Sequence, residues 1–267
     1  MPEATDDIPV KVIEAALKGS GFPFQTAVRH VIATHKSPRY TIHASEYPWL
    51  NRKNEHEFLD LVAANSQLVL TIECKKTKQE KYIFLLPEGA EHTRDVQDFR
   101  CCKITYYNEQ EHNAKVSCET VLMDPGSPVS EFCVVSTNSR ERMLERDAAM
   151  LVNATDEFVR DKQERPKLGL VAPYVVVPVI VTNAELYKAR YDPEEVSLLT
   201  GELDKVRGNL EPAQWIRFHK SFVAGYGRDL GLRSIFVVNA SSLTKFLSHL
   251  DHAMGAPSRP NTVTLFG

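Results

Sequence analysis

An apolar stretch of the sequence, LVLTIECK at residues 68–75, ends in an acid and a base two positions apart. Side chains at positions i and i+2 of a strand share one face, so Glu73 and Lys75 are expected to point the same way. Shortly before them, Asp60 interrupts FLDLVAA (58–64), which otherwise has the composition of a buried strand. A charge on a buried strand requires an ionic partner or a metal ion, which makes these three residues candidates for chemistry.

The two strands that carry these residues are expected to pair. Residues 65–67, Asn-Ser-Gln, predict a tight turn between them. In the resulting hairpin Asp60 lies opposite a position between Thr71 and Glu73, and opposed side chains on one face are about 5 Å apart at Cβ. Asp60, Glu73 and Lys75 then meet in one small volume. This volume is either a functional site or a salt-bridged patch where the hairpin leaves the core.

Two carboxylates and an ammonium group suit metal-assisted cleavage of a phosphodiester. Carboxylate oxygens are ligands that Mg²⁺ accepts while it keeps several waters and takes phosphate oxygens. The metal lowers the pKa of a bound water and neutralises charge that develops in the transition state. Lys75 can orient the attacking water or help to deprotonate it. The three residues include no covalent nucleophile, so hydrolysis by water is the expected reaction.

The stretch FLDLVAANSQLVLTIECKK resembles the core motif of the PD-(D/E)xK, or restriction-endonuclease-like, nucleases. That motif is an Asp on one strand, a short turn, and an apolar strand that ends in Glu-x-Lys. Upstream, GFPFQTAVRHVI is similar to the first helix of a group of bacterial members, which usually carries a Glu where this sequence has Gln25. The resemblance covers residues 20–78 and extends in weaker form to a strand at 174–182.

The resemblance implies a role for each matched residue. Asp60 and Glu73 hold Mg²⁺, or Mn²⁺ in its place, and Lys75 acts on the attacking water. Gln25 orients a metal-bound water but brings no charge. The presence of Gln instead of the family's usual Glu is therefore expected to affect metal affinity. Glu46, near the end of the preceding strand, can supply a third carboxylate.

As a whole, the resemblance implies a metal-dependent nuclease that hydrolyses phosphodiester bonds in DNA, in defence or repair. Two other interpretations stay open. A catalytically silent module for nucleic-acid binding or assembly, which keeps the nuclease fold, is favoured by Gln25 and by the net charge of −3. The other interpretation is a structural protein in which a long helix at 140–165 packs on another subunit or on a second copy of the chain.

Basic residues elsewhere offer further contacts to nucleic acid. Lys76, Lys78 and Lys81 follow the motif and either contact the phosphate backbone near the cut or form a solvated loop. In WIRFHKSFVAGYGRDLGLR (215–233), basic and aromatic residues alternate, as in segments that grip single strands. The spacing of the aromatics, which include Phe218, favours instead the core face of a helix.

The pattern of apolar residues predicts a single α/β domain over 1–267, and the resemblance implies that it has a restriction-endonuclease-like core. We expect a mixed central sheet flanked by helices, with an added antiparallel β section, a β-rich insertion at about 80–136. The long helix at 140–165 has one apolar side and one Arg/Glu side that faces solvent. Pro178 interrupts an apolar strand and predicts that this strand is an edge or contains a bulge.

Composition excludes several classes of protein. No run of 18 or more apolar residues occurs, so no membrane span is expected. The five cysteines lack CxxC spacing, which favours reduced thiols in a cytoplasmic protein over a zinc site. The net charge of −3 rules out a global basic field, so a contact to nucleic acid must come from a local patch.

Overall fold

The computed structural model describes nine stretches of the chain. They are residues 10–51, 53–78, 80–89, 96–108, 113–136, 143–164, 174–203, 210–222 and 231–252. Within these stretches, the α-helices are α1 (Val10–Gly19), α2 (Phe22–Thr34), α3 (Met143–Glu164) and α4 (Leu243–His249). No helix in the described stretches is both long enough and apolar enough to cross a bilayer.

The described strands form two sheets. In chain order they are β1 (Thr41–Leu50), β2 (His56–Ala64), β3 (Leu68–Lys75), β4 (Lys81–Pro87), β5 (Val96–Asn108), β6 (Asn113–Ser127), β7 (Val129–Ser130), β8 (Phe132–Val135), β9 (Tyr174–Thr182), β10 (Glu185–Tyr191), β11 (Glu211–Ala213), β12 (Trp215–Phe222), β13 (Gly231–Asn239) and β14 (Asp251–His252). The larger sheet has the order β1–β2–β3–β9–β13–β12–β7, with β5, β6 and β14 attached beside this path. The smaller has the order β11–β10–β4–β8.

The large sheet is mixed, as predicted. Strands β1, β2 and β3 form an antiparallel meander, and β9 and β13 then add in parallel to β3. All nine residues of β9 are buried, as expected for a parallel strand covered on both faces. Helix α2 covers one face through Val28 and Ile32, and α3 covers the other through Leu144, Leu151 and Phe158. The prediction of a mixed α/β protein with helices on its sheet is therefore confirmed.

The expected antiparallel section at 80–136 is divided between the two sheets. Strands β5 and β6 form an antiparallel hairpin in the large sheet, whereas β4 and β8 belong to the small one. Strand β4 runs parallel to β10, with Lys81 paired to Glu185. Strands β3 and β9 are also a parallel pair, so they end on the same side of the large sheet, and the segments that follow them pair again as β4 and β10 in the small sheet. The candidate residues lie at this end of β3.

Two local predictions are wrong. The strand that contains Pro178 is central, not an edge, because β9 pairs with β3 on one side. On its other side β5 pairs up to Val176 and β13 from Val179, so Pro178 lies between the two ladders, where its missing N–H is tolerated. The segment from Trp215 is the strand β12, not a helix, and residues 223–230 of that segment lie outside the described stretches.

Arg217 of β12 cannot contact nucleic acid, because its side chain is completely buried. The guanidinium donates hydrogen bonds to the carbonyl oxygens of Asp98, Met123 and Pro125. Its Cζ lies 5.6 Å and 5.2 Å from the ring centres of Phe99 and Phe236. Arg217 therefore ties the β5–β6 hairpin to the rest of the large sheet.

Candidate active site

Asp60 lies where β2 and β3 separate. The antiparallel pairing of these strands runs from Ala64 opposite Val69 to Leu61 opposite Ile72 and ends there. At the next position, the Asp60 carboxylate accepts a hydrogen bond from the backbone N–H of Cys74 at 2.6 Å. The hairpin register predicted from the sequence is therefore present, and the carboxylate takes the place of the next ladder hydrogen bond.

Glu73 and Lys75 share a face and meet, as the spacing predicts. The Lys75 Nζ lies 2.9 Å from the Glu73 Oε1 and 3.2 Å from the Asp147 Oδ1. The Asp147 side chain comes from α3 and is only 5% exposed. Sequence reasoning missed Asp147, although it lies three residues after Leu144 and four before Leu151, on the helix's apolar side. An acidic residue on the apolar side of a predicted helix is the sequence signal that could have identified Asp147.

Gln25 connects α2 to the two strands that carry carboxylates. Its Nε2 donates to the Glu46 Oε1 at 2.5 Å and to the backbone oxygen of Asp60 at 3.0 Å. Pro23 in the first turn of α2 favours the start of the helix here, because its ring presets a helical φ. Gln25, the helix residue identified from the resemblance, thus links the Glu46 side chain to the backbone at Asp60.

Glu46 has an unusual backbone conformation for a residue within a strand. Its φ is 55°, in the left-handed region that favours glycine. In the β1–β2 register, the pairs on either side of it are Ser45 with Leu61 and Tyr47 with Leu59, so Glu46 falls opposite Asp60. Such a conformation costs of order 1–3 kcal/mol and is concentrated at functional sites. The strained conformation of Glu46 therefore lies at the position where Glu46 and Asp60 are opposite each other in the strand register.

Burial and mutual repulsion shift the ionisation of this cluster. Burial raises the pKa of Asp60, the nearby Glu46 adds to the rise, and the Cys74 N–H opposes it. The pKa of Glu73 rises to about 7, first through burial and then through the Asp60 charge. Burial also raises the pKa of Asp147, against the opposing effect of Lys75. Burial therefore favours the protonated, uncharged form of these carboxyl groups.

Lys75 is the cation in contact with this cluster. Burial lowers its pKa, but the carboxylates of Glu73 and Asp147 outweigh burial and raise the pKa above its usual value. Lys75 is therefore protonated at neutral pH. Its ammonium contacts two carboxylates, Glu73 and Asp147, and the charge of Arg146 also acts on Asp147.

The donor set fits a hard divalent cation. Asp60 and Glu73, with Glu46 beside them, offer carboxylate oxygens of the kind that Mg²⁺ and Mn²⁺ bind. Burial raises the pKa of Asp60 and of Glu73, so a bound cation would stabilise their charged forms. In the stretches that the structure describes, no group of three or more His, Cys, Asp or Glu side chains is already gathered in a metal-binding arrangement.

The three other lysines predicted from the sequence lie outside this cluster of contacts. The Lys76 ammonium donates to the backbone oxygens of Lys18 and Ser20, at the end of α1. The Lys81 Nζ is 3.7 Å from the Glu185 Oε2, and Lys78 is exposed. The structure thus places Gln25 in contact with Asp60 and Glu73 in contact with Lys75, and the Asp60 carboxylate joins the two pairs through the N–H of Cys74. Lys76 and Lys81 make their contacts elsewhere.

Comparison with known proteins adds no family to this description. No family model matches the sequence, and no curated protein or solved structure matches the chain. The fold and the site define a mixed α/β protein with a partly buried acidic cluster and a lysine where parallel strands β3 and β9 end.

The raised pKa of Glu73 predicts a pH-dependent stability. A carboxyl group with a pKa near 4.5 unfolded and about 7 folded stabilises the fold fully below the lower value, and this contribution is lost as pH rises through the upper one. Between about pH 5 and about pH 8, we expect the free energy of unfolding to fall on the order of 2 kcal/mol more for the native chain than for Glu73→Gln.

Urea unfolding at several pH values measures this difference. Glu88→Gln, which changes an exposed carboxylate in the turn after β4, is the matched control and should keep the native pH dependence. An equal slope in the native chain and Glu73→Gln would show that Glu73 is not the group that titrates.

Proposed function

We propose that this protein is a metal-dependent nuclease that hydrolyses phosphodiester bonds in DNA, with Asp60, Glu73 and Lys75 as its central residues. The observation that carries the proposal is that Glu73 and Asp147 both contact the Lys75 ammonium where β2 and β3 separate. The Asp60 carboxylate is bound there to the N–H of Cys74, which lies between Glu73 and Lys75 in sequence. The resemblance to the PD-(D/E)xK nucleases supports it, since it concerns the same residues. The apolar strand at 174–182, included in that resemblance, is paired with β3. Defence or repair in the cytoplasm, where the free cysteines stay reduced, is the setting that we propose.

Each residue of the site has a task in this proposal. Asp60 and Glu73 would hold Mg²⁺ or Mn²⁺, with Glu46 as a third carboxylate. When bound, such an ion activates water and neutralises charge on the phosphate. The Gln25 amide orients a water or a neighbouring carboxylate by hydrogen bonding, without adding charge. Lys75 is protonated, so it donates hydrogen bonds to the attacking water or to the phosphate rather than removing a proton.

Asp147 is a positioning residue in this scheme. Lys75 divides its hydrogen bonds between Glu73 and Asp147. Oxygens of Glu73 that bind a metal are less available to the ammonium, and Asp147 then keeps Lys75 beside the site. The contact from α3 thus allows the acid and the lysine of the Glu-x-Lys motif to act on different partners.

Replacement of Asp60 tests the proposal. We expect the native chain to cleave DNA in the presence of Mg²⁺ or Mn²⁺, and Asp60→Ala to lose about 10²–10³-fold or more in rate, because a charge-stabilising group at the transition state is removed. Linear, circular, single-stranded and branched DNA, and RNA, would be compared as substrates. Asp124→Ala, which removes an exposed carboxylate on β6, is the control. Equal cleavage by native chain and Asp60→Ala would place the activity elsewhere.

A silent nucleic-acid-binding or assembly module is the second candidate, and two observations favour it. Gln25 stands where the family usually has a Glu, and Lys75 already neutralises part of the acidic cluster. This candidate predicts salt-sensitive DNA binding with neither cleavage nor heat of metal binding in calorimetry. A partner subunit or a homodimer is compatible with both candidates. The apolar side of α3 packs on this chain's own sheet, so α3 offers a partner its charged side.

A further inference from the structure

A recess of about 490 Å³ opens between the large and small sheets. The small sheet contributes Tyr187 and Glu185 from β10, and Pro212 and Gln214 from β11 and the residue after it. The large sheet contributes the end of β13 at Asn239 and the following turn. The volume lies within the range of about 300–1,000 Å³ in which proteins bind small organic groups.

The recess lies beside the same ends of the large-sheet strands as the candidate active site. Lys75 of β3 is paired with Thr182 of β9, and Thr182 is paired with Asn239 of β13. Neighbouring strands are about 4.8 Å apart, so the backbones of Lys75 and Asn239 are separated by roughly 10 Å. A strand bound at Lys75 would have to span about this distance to place a neighbouring nucleotide in the recess.

The polar groups of the recess suit an uncharged ring that forms hydrogen bonds. The Gln214 Oε1 accepts a hydrogen bond from the Lys245 Nζ at 3.0 Å, which leaves the amide N–H groups as donors. Asn239 serves the structure itself, since its Oδ1 accepts from the Ser241 N–H and its Nδ2 donates to the Ala184 oxygen. The Tyr187 ring is partly exposed and offers an aromatic surface.

Charge distinguishes a base from a phosphate at this position. The charged residue in the lining is Glu185, whose carboxylate accepts a hydrogen bond from the Tyr187 hydroxyl at 2.7 Å. A carboxylate repels phosphate and tolerates a neutral ring. The Lys81 Nζ lies 5.3 Å from the centre of the Tyr187 ring and 3.7 Å from the Glu185 Oε2, and the Lys245 Nζ lies 3.0 Å from the Gln214 Oε1. Both cations therefore stand beside the recess rather than among its lining residues. Lys81 is therefore placed for the sugar-phosphate chain outside.

We propose that this recess binds an unpaired nucleobase adjacent to the phosphodiester at Lys75, so that the substrate is single-stranded or has a single-stranded end. The inference rests on the proposed nuclease function and specifies the form of its substrate. Stacking on Tyr187 tolerates any base, because every base has an aromatic face. Hydrogen bonds from Gln214 add to the stacking, and Lys81 contacts a neighbouring phosphate.

Binding without cleavage tests this inference. A fluorescent single-stranded oligonucleotide, a blunt duplex of the same sequence and a mononucleotide are titrated in EDTA, with anisotropy or calorimetry as the readout. We expect the native chain to bind the single strand more tightly than the duplex, and Tyr187→Ala to weaken single-strand binding about fivefold to tenfold or more. Gln214→Ala should weaken it less. Phe132→Ala, which removes an exposed aromatic ring from the opposite edge strand of the small sheet, is the control and should bind as the native chain does.

The outcomes separate the recess from the nuclease function. Single-strand binding that is unchanged in both Tyr187→Ala and Gln214→Ala overturns the inference, and so does a preference for the blunt duplex. Mononucleotide binding as tight as strand binding also overturns it, since the recess would then hold a free nucleotide. If cleavage depends on Asp60 but Tyr187→Ala binds single strands as the native chain does, base binding in the recess is wrong and the nuclease function stands. If binding depends on Tyr187 but no metal-dependent cleavage occurs, base binding in the recess stands and the nuclease function is wrong.

Discussion

Lys75→Met is expected to abolish most cleavage while it tightens metal binding. The Lys75 ammonium contacts Glu73 and Asp147 and partly neutralises the carboxylate cluster. Methionine keeps an apolar stem of similar shape but removes the charge, so Asp60 and Glu73 face each other with less compensation. A divalent cation then gains about tenfold in affinity, while the cleavage rate falls about 10²–10⁴-fold through loss of the proton donor.

Calorimetry with Mg²⁺ and Mn²⁺, together with single-turnover cleavage, measures both effects. Lys115→Met, which changes an exposed lysine of β6, is the matched control and should alter neither quantity. Weaker metal binding in Lys75→Met would show that the ammonium supports the metal site rather than competes with it. Unchanged cleavage would exclude Lys75 from the reaction. The opposite signs expected for affinity and rate distinguish a role in chemistry from a general loss of structure.

Arg217→Met is expected to cause a large loss of stability. The wholly buried guanidinium donates to the backbone oxygens of Asp98, Met123 and Pro125, on the two strands of the β5–β6 hairpin. Methionine occupies much of the same volume and donates nothing, so these buried oxygens lose their partner. Each unsatisfied buried acceptor costs about 1–3 kcal/mol, and we expect a total loss of about 3 kcal/mol or more in the free energy of unfolding.

Chemical denaturation, followed by circular dichroism, tests this value. Arg190→Met is the control, because its side chain is 37% exposed and its ion pair with Glu211 lies at the surface. The control should lose less than about 1 kcal/mol. A similar small loss in Arg217→Met would mean that the hairpin does not depend on this residue. Failure of Arg217→Met to fold, beside a folded control, would agree with the prediction.

The local sequence determined the part of the site that lies within one hairpin. A strand has a side-chain period of two, so Glu73 and Lys75 had to share a face, and the short turn at 65–67 set the register that brings Asp60 next to them. The relations within the hairpin depend on short stretches of chain, where periodicity and turn length decide the geometry. Gln25 was identified through the family resemblance instead, and it contacts Glu46 and Asp60.

Longer relations were decided only by the tertiary structure. Asp147 reaches Lys75 because α3 packs across β3, and no local pattern shows which strand a helix will cover. The basic and aromatic residues near Trp215 suggested a binding surface, but packing against the β5–β6 hairpin buries Arg217 completely. Strand β4 joins β10 in a second sheet because β3 and β9 leave the large sheet side by side. Pairing between distant segments depends on the free energy of the whole packed chain, whereas the period of a strand is a property of its own backbone.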